Sequence, residues 1–351
     1  MTAHQGFALQ ERQLTRGEPV AWREGMDLRH WYPLTATCHD GDITLAWRDM
    51  TEIAFTDSFF ENTLARQPRE QRRVCHAPAR ALAQFVQGDA ALAPSAFVFH
   101  VSRCGSTLLT QLLALLPQCI VMSEPPIIDS LLRLHHEAGA AAAGDTVALL
   151  RQAMLAMGQR RTGRESHFVI KFDCWHLHSL DLLRQAFPGT PCLFLYRAPL
   201  AVLASHHRQR GPQMVPGLIH PALLPLPASE LAPGDLDAYT ALVLEGFYLQ
   251  ARVHAAAKRL RLVNYSQLPA IVFTELLDLL GIACTARQLD AMRERSQRHS
   301  KYTGNAYRGD PGLRQPEHEA RLAQLAASLA PAYAALEQGR LDGASTNVMK
   351  I

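Results

Sequence analysis

Residues 97–116 read FVFHVSRCGSTLLTQLLALL, and this stretch decides the fold. An apolar run typical of a buried strand enters a turn of small residues, and the turn leads into a helical pattern. At such a junction several backbone N–H groups and the positive end of a helix dipole point at one spot. The sequence therefore predicts an anion-binding turn between a strand and a helix.

The turn differs from an ATP-binding P-loop, G-x-x-x-x-G-K-[ST], at two positions. Gly105 and Thr107 fit that pattern, but His100 replaces the first Gly and Ser106 replaces the Lys. A basic side chain stands earlier, at Arg103. Because the lysine that reaches the β- and γ-phosphates is missing, we expect a phosphate-binding loop that does not serve ATP hydrolysis.

Residues 102–108, SRCGSTL, resemble the 5′-phosphosulfate loop of sulfotransferases, a basic residue followed by Ser-Gly-Thr/Ser-Thr. Those enzymes use 3′-phosphoadenosine 5′-phosphosulfate (PAPS) as sulfuryl donor. Cys104 stands where the family usually has Ser, and its contribution is mostly through the backbone. An ordinary strand–turn–helix with small residues is the alternative interpretation. The resemblance implies that the donor is bound by Arg103, Cys104, Gly105, Ser106, Thr107 and Leu108.

A second motif follows the strand predicted at 191–196. Arg197 comes directly after this strand and Ser205 stands eight positions later, a spacing that resembles the 3′-phosphate motif of sulfotransferases. Ligands of parallel sheets lie at the carboxyl ends of strands, so Arg197 is expected in the same crevice as the first loop. Its guanidinium could make a bidentate contact with phosphate. Taken alone, Arg197 could equally be a surface charge beside a helix. Two phosphate sites indicate a nucleotide phosphorylated at both 3′ and 5′, which argues against a kinase.

Weaker support comes from residues 287–301, which carry five Lys or Arg against two acids. Sulfotransferases place a basic segment near this point to close over the nucleotide, which implies that Ser300 and Lys301 bind it. A solvated helix face is the alternative. In total the resemblance covers roughly residues 95–305.

Sulfuryl transfer requires a base for the acceptor proton, positive charge on the bridging oxygen, and in-line positioning. Arg103 and the N–H groups of 105–107 are expected to stabilise the departing phosphate. Lys171 ends a predicted strand at the same crevice and is expected to reach the transferring group. The resemblance supports this role, because the family commonly has a Lys at this strand end.

Two carboxylates compete for the role of base. Glu124 follows the strand predicted at 119–123, 21 positions after Arg103. Tyrosylprotein and heparan-type sulfotransferases carry a catalytic Glu at about this separation. Glu124 could instead be an N-terminal charge of the helix predicted at 126–138.

Asp173 is the second carboxylate, two residues after Lys171 and so on the same face of a strand. Cytosolic small-molecule sulfotransferases place a catalytic His here, and the Asp departs from that pattern. Asp173 could instead cap the helix predicted at 175–186. Of the two acids, Glu124 is preferred, although a carboxylate becomes an effective base only where burial raises its pKa.

The alternation of short apolar runs and helical patterns predicts an α/β fold, a parallel sheet flanked by helices with a small N-terminal α+β module. Three units are predicted: an accessory module at 1–94, a sulfotransferase-like domain at 95–312, and a C-terminal helix and tail at 313–351. Residues 211–234 are rich in Pro and apolar residues, and we expect a lid there. Strands are predicted at 96–101, 119–123, 167–172, 191–196 and 260–265, and helices at 106–116, 126–138, 145–161, 175–186, 199–209, 237–259, 268–280, 286–297 and 317–337.

Composition narrows the function class further. The 351 residues carry 35 basic and 32 acidic side chains, so there is no general signal for a nucleic-acid partner. The seven Cys are scattered without a C-x-x-C pair, and the His pairs have spacings typical of helix surfaces, so no metal is expected. No signal peptide and no membrane-length apolar run are apparent. The sequence predicts a cytoplasmic protein without a membrane partner, with homodimer formation left open.

These observations predict a PAPS-dependent sulfotransferase that transfers a sulfuryl group to a hydroxyl, amine or amide of a small-molecule acceptor. One alternative is a P-loop kinase for a nucleotide or small molecule. The other is a non-catalytic nucleotide-binding protein with the same fold.

Overall fold

The computed structural model describes residues 12–86, 89–138, 143–227, 232, 234–298 and 316–348. Its strands are β1 (Glu18–Val20), β2 (Trp31–His39), β3 (Asp42–Asp49), β4 (Arg73–Pro78), β5 (Ala96–His100), β6 (Cys119–Ser123), β7 (His167–Lys171), β8 (Cys192–Tyr196) and β9 (Arg261–Asn264). Its α-helices are α1 (Phe60–Arg66), α2 (Ser106–Leu113), α3 (Pro126–Ala138), α4 (Ala143–Met157), α5 (Leu180–Ala186), α6 (Pro199–Arg208), α7 (Leu236–Ala256), α8 (Leu277–Leu279), α9 (Ala286–Ser296), α10 (Pro316–Ser328) and α11 (Ala330–Val348).

Strands β5 to β9 form a parallel sheet in the order β6-β7-β5-β8-β9. Every residue of β5 and β8 is buried, which explains why their sequences are continuous apolar runs without alternation. Helices connect the parallel strands and flank the sheet. The predicted fold class, a parallel sheet flanked by helices with a small N-terminal α+β module, is confirmed.

The N-terminal module is a mixed sheet of order β1-β4-β3-β2. It packs on α3 and α4 through buried polar contacts. The Oγ of Ser130 accepts a hydrogen bond from the backbone N–H of Ala36 (2.9 Å) and donates one to its carbonyl (3.1 Å). The Gln159 amide accepts from the N–H of His30 and donates to the carbonyl of Trp31, both at 2.7 Å. The buried apolar residues of module and main sheet form one continuous core.

Three predicted helices differ from the observed elements. The helix expected at 317–337 is divided into α10 and α11 by Leu329, and Pro331 lies in the first turn of α11, where its missing N–H is tolerated. The first half of the helix expected at 175–186 is a 3₁₀ segment, Cys174–Ser179. The helix expected at 268–280 begins at Ala270 and contains a π-helical stretch, Val272–Leu276.

The apolar segment at 211–227 packs against the body of the protein. Met214 and Leu223 are fully buried and Leu224 nearly so, whereas Leu218 is 45% exposed. None of the helices in the described part of the chain has both the length and the apolar character that a membrane span requires.

Candidate active site

The carboxyl ends of β5, β7 and β8 border a single cavity of about 400 Å³. The structure brings most of the predicted site residues together around it. Ser300 and Lys301 lie outside the described residues, but Ser296 and Arg298 of the same basic segment line the cavity. The predicted residues on its wall are Arg103, Cys104, Gly105, Ser106, Thr107, Leu108, Glu124, Lys171, Asp173, Arg197 and Ser205.

The loop between β5 and α2 has the backbone of an anion cradle. Ser102 and Arg103 both have positive φ, 68° and 53°, and Gly105 follows at 82°. A Cβ at Gly105 would approach Cδ1 of Leu268 to 2.6 Å and the ring of Tyr265 to 3.0 Å, so a larger residue would have to displace these side chains in addition to adopting a left-handed conformation. Left-handed residues turn successive N–H groups toward one concave surface, and the first turn of α2 adds N–H groups without helical acceptors. The loop is therefore suited to bind phosphate or sulfate oxygens.

His100 braces this loop, a role that the sequence did not indicate. Its Nδ1 accepts a hydrogen bond from the backbone N–H of Ser102 at 2.9 Å. That contact assigns the proton to Nε2, which lies 3.1 Å from the carbonyl of Phe172 and 3.4 Å from Oε1 of Glu124. Burial lowers the pKa of His100, and the nearby Glu124 only partly opposes this. The imidazole is thus a neutral link between the loop and the carboxylate.

Lys171 and Glu124 form a tight ion pair at the wall of the cavity. The Nζ of Lys171 lies 2.6 Å from Oε1 of Glu124, and the lysine side chain is 1% exposed. Phe59, from the N-terminal module, lies with its ring centroid 4.4 Å from the same Nζ. Burial alone would raise the pKa of Glu124, but Lys171 and the hydrogen bond from His100 together lower it to about 2. Glu124 is therefore a weakly basic carboxylate as long as the pair persists.

Asp173 is in the opposite situation. Its carboxylate has no hydrogen bond or ion pair with any of the described residues, although it lines the cavity two residues after Lys171. Burial, and then the negative charges of Glu124 and Asp129, raise its pKa well above the usual range. Asp173 stands at the N-cap position of the 3₁₀ segment, but its side chain makes no capping bond there. The pKa of Asp173 is therefore raised where that of Glu124 is lowered, and the preference for Glu124 as base stays a prediction.

Arg197 lies between the loop at 102–108 and Ser205, the two parts of the predicted nucleotide site. Its guanidinium lies 4.1 Å above the ring of Tyr265 and contacts the carbonyl of Arg103 at 3.4 Å. The hydroxyl of Tyr248 donates to the Arg197 carbonyl at 2.6 Å and fixes the backbone at the end of β8. Ser205, on α6, lines the same cavity. The structure thus places both residues at the crevice, as their spacing in the sequence predicted.

Two aromatic residues at the site were not predicted. Tyr265 directly follows β9, in the same position relative to its strand as Arg197 after β8, and this parallel could have identified it. Phe59 belongs to the FTDSFF run at 55–60 of the N-terminal module, which carries none of the motifs that predicted the site. Among the described residues no group of three or more His, Cys, Asp or Glu side chains is placed to hold a metal ion.

Comparison with known proteins gives remote structural likenesses. No family model matches the chain, and no curated protein matches it. A sulfotransferase of Alicyclobacillus acidocaldarius shares 13% identity and a TM-score of 0.40, over 71% of this chain and 96% of that one. A sulfotransferase of Mycobacterium avium shares 14% identity and a TM-score of 0.39, over 62% of this chain and 71% of that one. The sulfotransferase domain of the Synechococcus olefin synthase shares 18% identity and a TM-score of 0.36, over 70% of this chain and 97% of that one. Because identity and TM-score are both low, the evidence for function lies in the site itself.

Proposed function

We propose that this protein is a PAPS-dependent sulfotransferase that acts on a small-molecule acceptor. The observation that carries the proposal is the convergence on one cavity of an anion cradle, a separate Arg197–Ser205 pair, and a Lys171–Glu124–Asp173 group. A cradle and a separate basic site fit a nucleotide with phosphates at 5′ and 3′. PAPS supplies the activated sulfuryl group when bound.

In this proposal the loop N–H groups and Arg103 hold the 5′-phosphosulfate oxygens, and Arg197 and Ser205 hold the 3′-phosphate. The stacking of Arg197 on Tyr265 restricts the guanidinium, so fewer conformations are lost on binding. Lys171 donates to the oxygen that bridges phosphorus and sulfur, where negative charge develops. Glu124 holds Lys171 in place before the donor arrives.

The proposed transfer is a single in-line displacement. The acceptor oxygen or nitrogen forms a bond to sulfur while the bond from sulfur to the bridging oxygen breaks. The electron pair of that bond stays on the 5′-phosphate of the departing 3′,5′-bisphosphoadenosine, and the acceptor proton passes to Asp173. A carboxylate with a raised pKa is the more effective proton acceptor near neutral pH.

The nucleotide specificity provides the test. We expect 3′,5′-bisphosphoadenosine to raise the melting temperature clearly, whereas AMP and ATP, which lack a 3′-phosphate, raise it far less. A ligand at a hundredfold excess over its Kd stabilises the folded state by about 2.7 kcal/mol. Arg197→Ala and Ser205→Ala should remove the advantage of the bisphosphate over AMP. Equal shifts from all three nucleotides would contradict the proposed 3′-phosphate site.

Turnover separates the proposal from its alternatives. Incubation with PAPS and a panel of acceptors should release 3′,5′-bisphosphoadenosine in proportion to sulfated product. Phosphate transfer from ATP would indicate the kinase. Tight binding of the bisphosphate without turnover of any acceptor would indicate a nucleotide-binding protein.

A further inference from the structure

Lys171 makes two close contacts, and they come from different parts of the chain. Its Nζ lies 2.6 Å from Oε1 of Glu124, which follows β6 of the parallel sheet. The ring centroid of Phe59, from the N-terminal module, lies 4.4 Å from the same Nζ. The lysine side chain is 1% exposed, so its ammonium group is largely withdrawn from water. Phe59 and Lys171 both line the candidate active-site cavity.

We propose that Phe59 is a positioning residue of the transfer reaction, and that its ring face holds the ammonium group of Lys171 where it can donate to the bridging oxygen. The inference rests on the proposed function, because it assigns a role in that reaction. The resemblance that predicted the other site residues begins at roughly residue 95, so it did not include this contact. The N-terminal module thereby contributes to the chemistry of the site.

The burial of the lysine makes a second contact valuable. An ammonium group that leaves water loses its hydration and requires compensating partners inside the protein. The negatively polarised face of an aromatic ring attracts a cation within about 6 Å of its centroid, and more strongly where water is excluded. The distance of 4.4 Å between Phe59 and the Nζ of Lys171 lies well inside this limit.

A ring suits this place better than a second carboxylate. It adds no formal charge, so it does not repel an anionic donor. It also competes weakly for the N–H groups of the ammonium, whereas a carboxylate would form a charge-assisted hydrogen bond with one of them. Glu124 and Phe59 together therefore fix the charge of Lys171 and leave an N–H available for an oxygen of the donor.

Local structure fixes the position of Phe59. It directly precedes α1 and has an extended backbone, with φ −139° and ψ 149°. The next residue, Phe60, is 2% exposed and stacks on Phe55 with ring centroids 5.6 Å apart. The Nε of Arg66, in α1, donates to Asp57 at 2.9 Å and ties the preceding segment to the helix. Because its neighbours on both sides are anchored, Phe59 can act as a fixed surface.

Fluorination of the Phe59 ring tests this role with little change in its size. Mono-, di- and trifluorophenylalanine, incorporated at position 59 of the full-length protein, weaken the negative ring face step by step. With PAPS and the acceptor identified by the turnover panel, we expect kcat to fall progressively, by about tenfold for the trifluoro ring, because the ammonium group is held less well. The affinity for 3′,5′-bisphosphoadenosine should change far less than kcat. The same replacements at Phe273, whose ring lies 5.5 Å from the Arg293 guanidinium and off the cavity wall, should leave kcat unchanged.

A spectroscopic measurement checks the contact itself and does not depend on turnover. The chain has four lysines, at 171, 258, 301 and 350, so selective ¹³C labelling of lysine gives few ε-methylene signals. The ring current of Phe59 should move the Lys171 signal upfield, and replacing the other three lysines by Arg assigns it. We expect Phe59→Leu to abolish the upfield shift and to lower kcat. Phe59→Tyr, which retains a ring, should keep the shift and most of the activity.

The two proposals fail in different ways. Sulfuryl transfer with an unchanged or higher kcat across the fluorinated series would overturn the role of Phe59 and leave the proposed function in place. The same conclusion would follow from a Lys171 signal without an upfield shift, or from a loss of kcat in Phe59→Tyr as large as in Phe59→Leu. Absence of transfer to any acceptor would remove the proposed function, and the role of Phe59 with it.

Discussion

Asp173 and Glu124 stand beside one lysine, yet their surroundings push their acidities in opposite directions. Lys171 and His100 stabilise the charged form of Glu124 and hold its pKa at about 2. Among the described residues the Asp173 carboxyl group makes no hydrogen bond or ion pair, and burial and then its anionic neighbours raise its pKa, which Lys171 only partly opposes. When their environments shift the pKa values of two neighbouring carboxyl groups in opposite directions, the two groups are suited to different roles. In the proposed reaction, Glu124 orients the lysine and Asp173 accepts the proton.

Asp173→Asn tests this assignment through activity and stability together. We expect kcat to fall by about 10²–10⁴-fold, the usual worth of a general base. The folded protein should become more stable at neutral pH. A carboxyl group whose pKa is raised by folding contributes stability at low pH that is lost as the pH rises through the folded pKa, and the amide removes that loss. Thermal melts between acidic and neutral pH measure it, with the exposed Asp42→Asn as control.

Glu124→Gln should behave differently, because it leaves Lys171 buried without its carboxylate. Breaking a buried ion pair from one side typically costs roughly 3–5 kcal/mol. We expect a lower melting temperature and a smaller loss of kcat than in Asp173→Asn, with bisphosphate affinity retained. Urea denaturation and steady-state kinetics provide the measurements. A larger loss of rate in Glu124→Gln, with its fold intact, would return the role of base to Glu124.

At this scale the sequence predicts which residues meet, but not how acidic they are. Strand ends locate Lys171 and Arg197, because the carboxyl ends of parallel strands share one edge. The pKa of Asp173 is raised first by burial, then by Glu124 and by Asp129, and Asp129 lies on α3 and is brought near only by the packing of that helix. No local pattern contains that information. The brace at His100 depends likewise on contacts with Phe172 and Glu124.

At the scale of elements, periodicity was sufficient for the central sheet. The predicted strand at 119–123 and helix at 126–138 agree with β6 and α3 at both ends. The errors occur where local chemistry interrupts a helical pattern, as at Leu329, before Pro331. The sequence predicts an α-helix where the 3₁₀ segment follows Asp173, because the apolar spacing there fits both helix types over two turns. Boundaries of this kind depend on tertiary contacts that periodicity does not contain.

The segment at 211–227, predicted as part of a lid, contributes in two ways. Leu223 and Leu224 are buried, so their substitution would mainly report on stability. Leu218 instead is 45% exposed and lines a second cavity, of about 350 Å³, which adjoins the candidate active site and shares Phe59, Glu124 and Asp173 with it. We expect Leu218→Ser to raise the KM of a phenol acceptor several-fold without changing bisphosphate affinity, because apolar contact with the acceptor is lost. Initial rates at varied acceptor concentration measure the effect.

Leu249→Ser is the matched control for this prediction. Leu249 is 43% exposed on α7 and lines neither cavity, so acceptor KM should remain unchanged. If Leu218→Ser left acceptor KM at the wild-type value, the segment would be a passive connection.

At the scale of the whole molecule, the N-terminal module is attached through a shared apolar core and through a few buried polar contacts near the site. Ser130 is 1% exposed and satisfies both backbone groups of Ala36. The same module presents Phe59 to Lys171 and Glu61 to the second cavity. We therefore expect the docking of the module to affect acceptor binding through the position of these side chains.

Ser130→Ala tests this coupling. Leaving buried backbone groups unsatisfied costs about 1–3 kcal/mol, so we expect a measurable loss of stability in urea denaturation. Acceptor KM should rise, while bisphosphate affinity stays the same, because the nucleotide half of the cavity belongs to the main domain. Ser328→Ala, which removes an exposed hydroxyl bonded only within its own helix, should alter neither property. Unchanged KM in a destabilised Ser130→Ala would separate the module from acceptor recognition.

The divided wall of the second cavity has a consequence for how such a protein can diversify. One half of the wall is built on the parallel sheet that carries the proposed transfer site, and the other half is built on the N-terminal sheet. Recombination of a different N-terminal module onto the same sheet would exchange the recognition surface and retain the donor site. The proposed transfer site could in this way serve a new acceptor while its reacting groups stay the same.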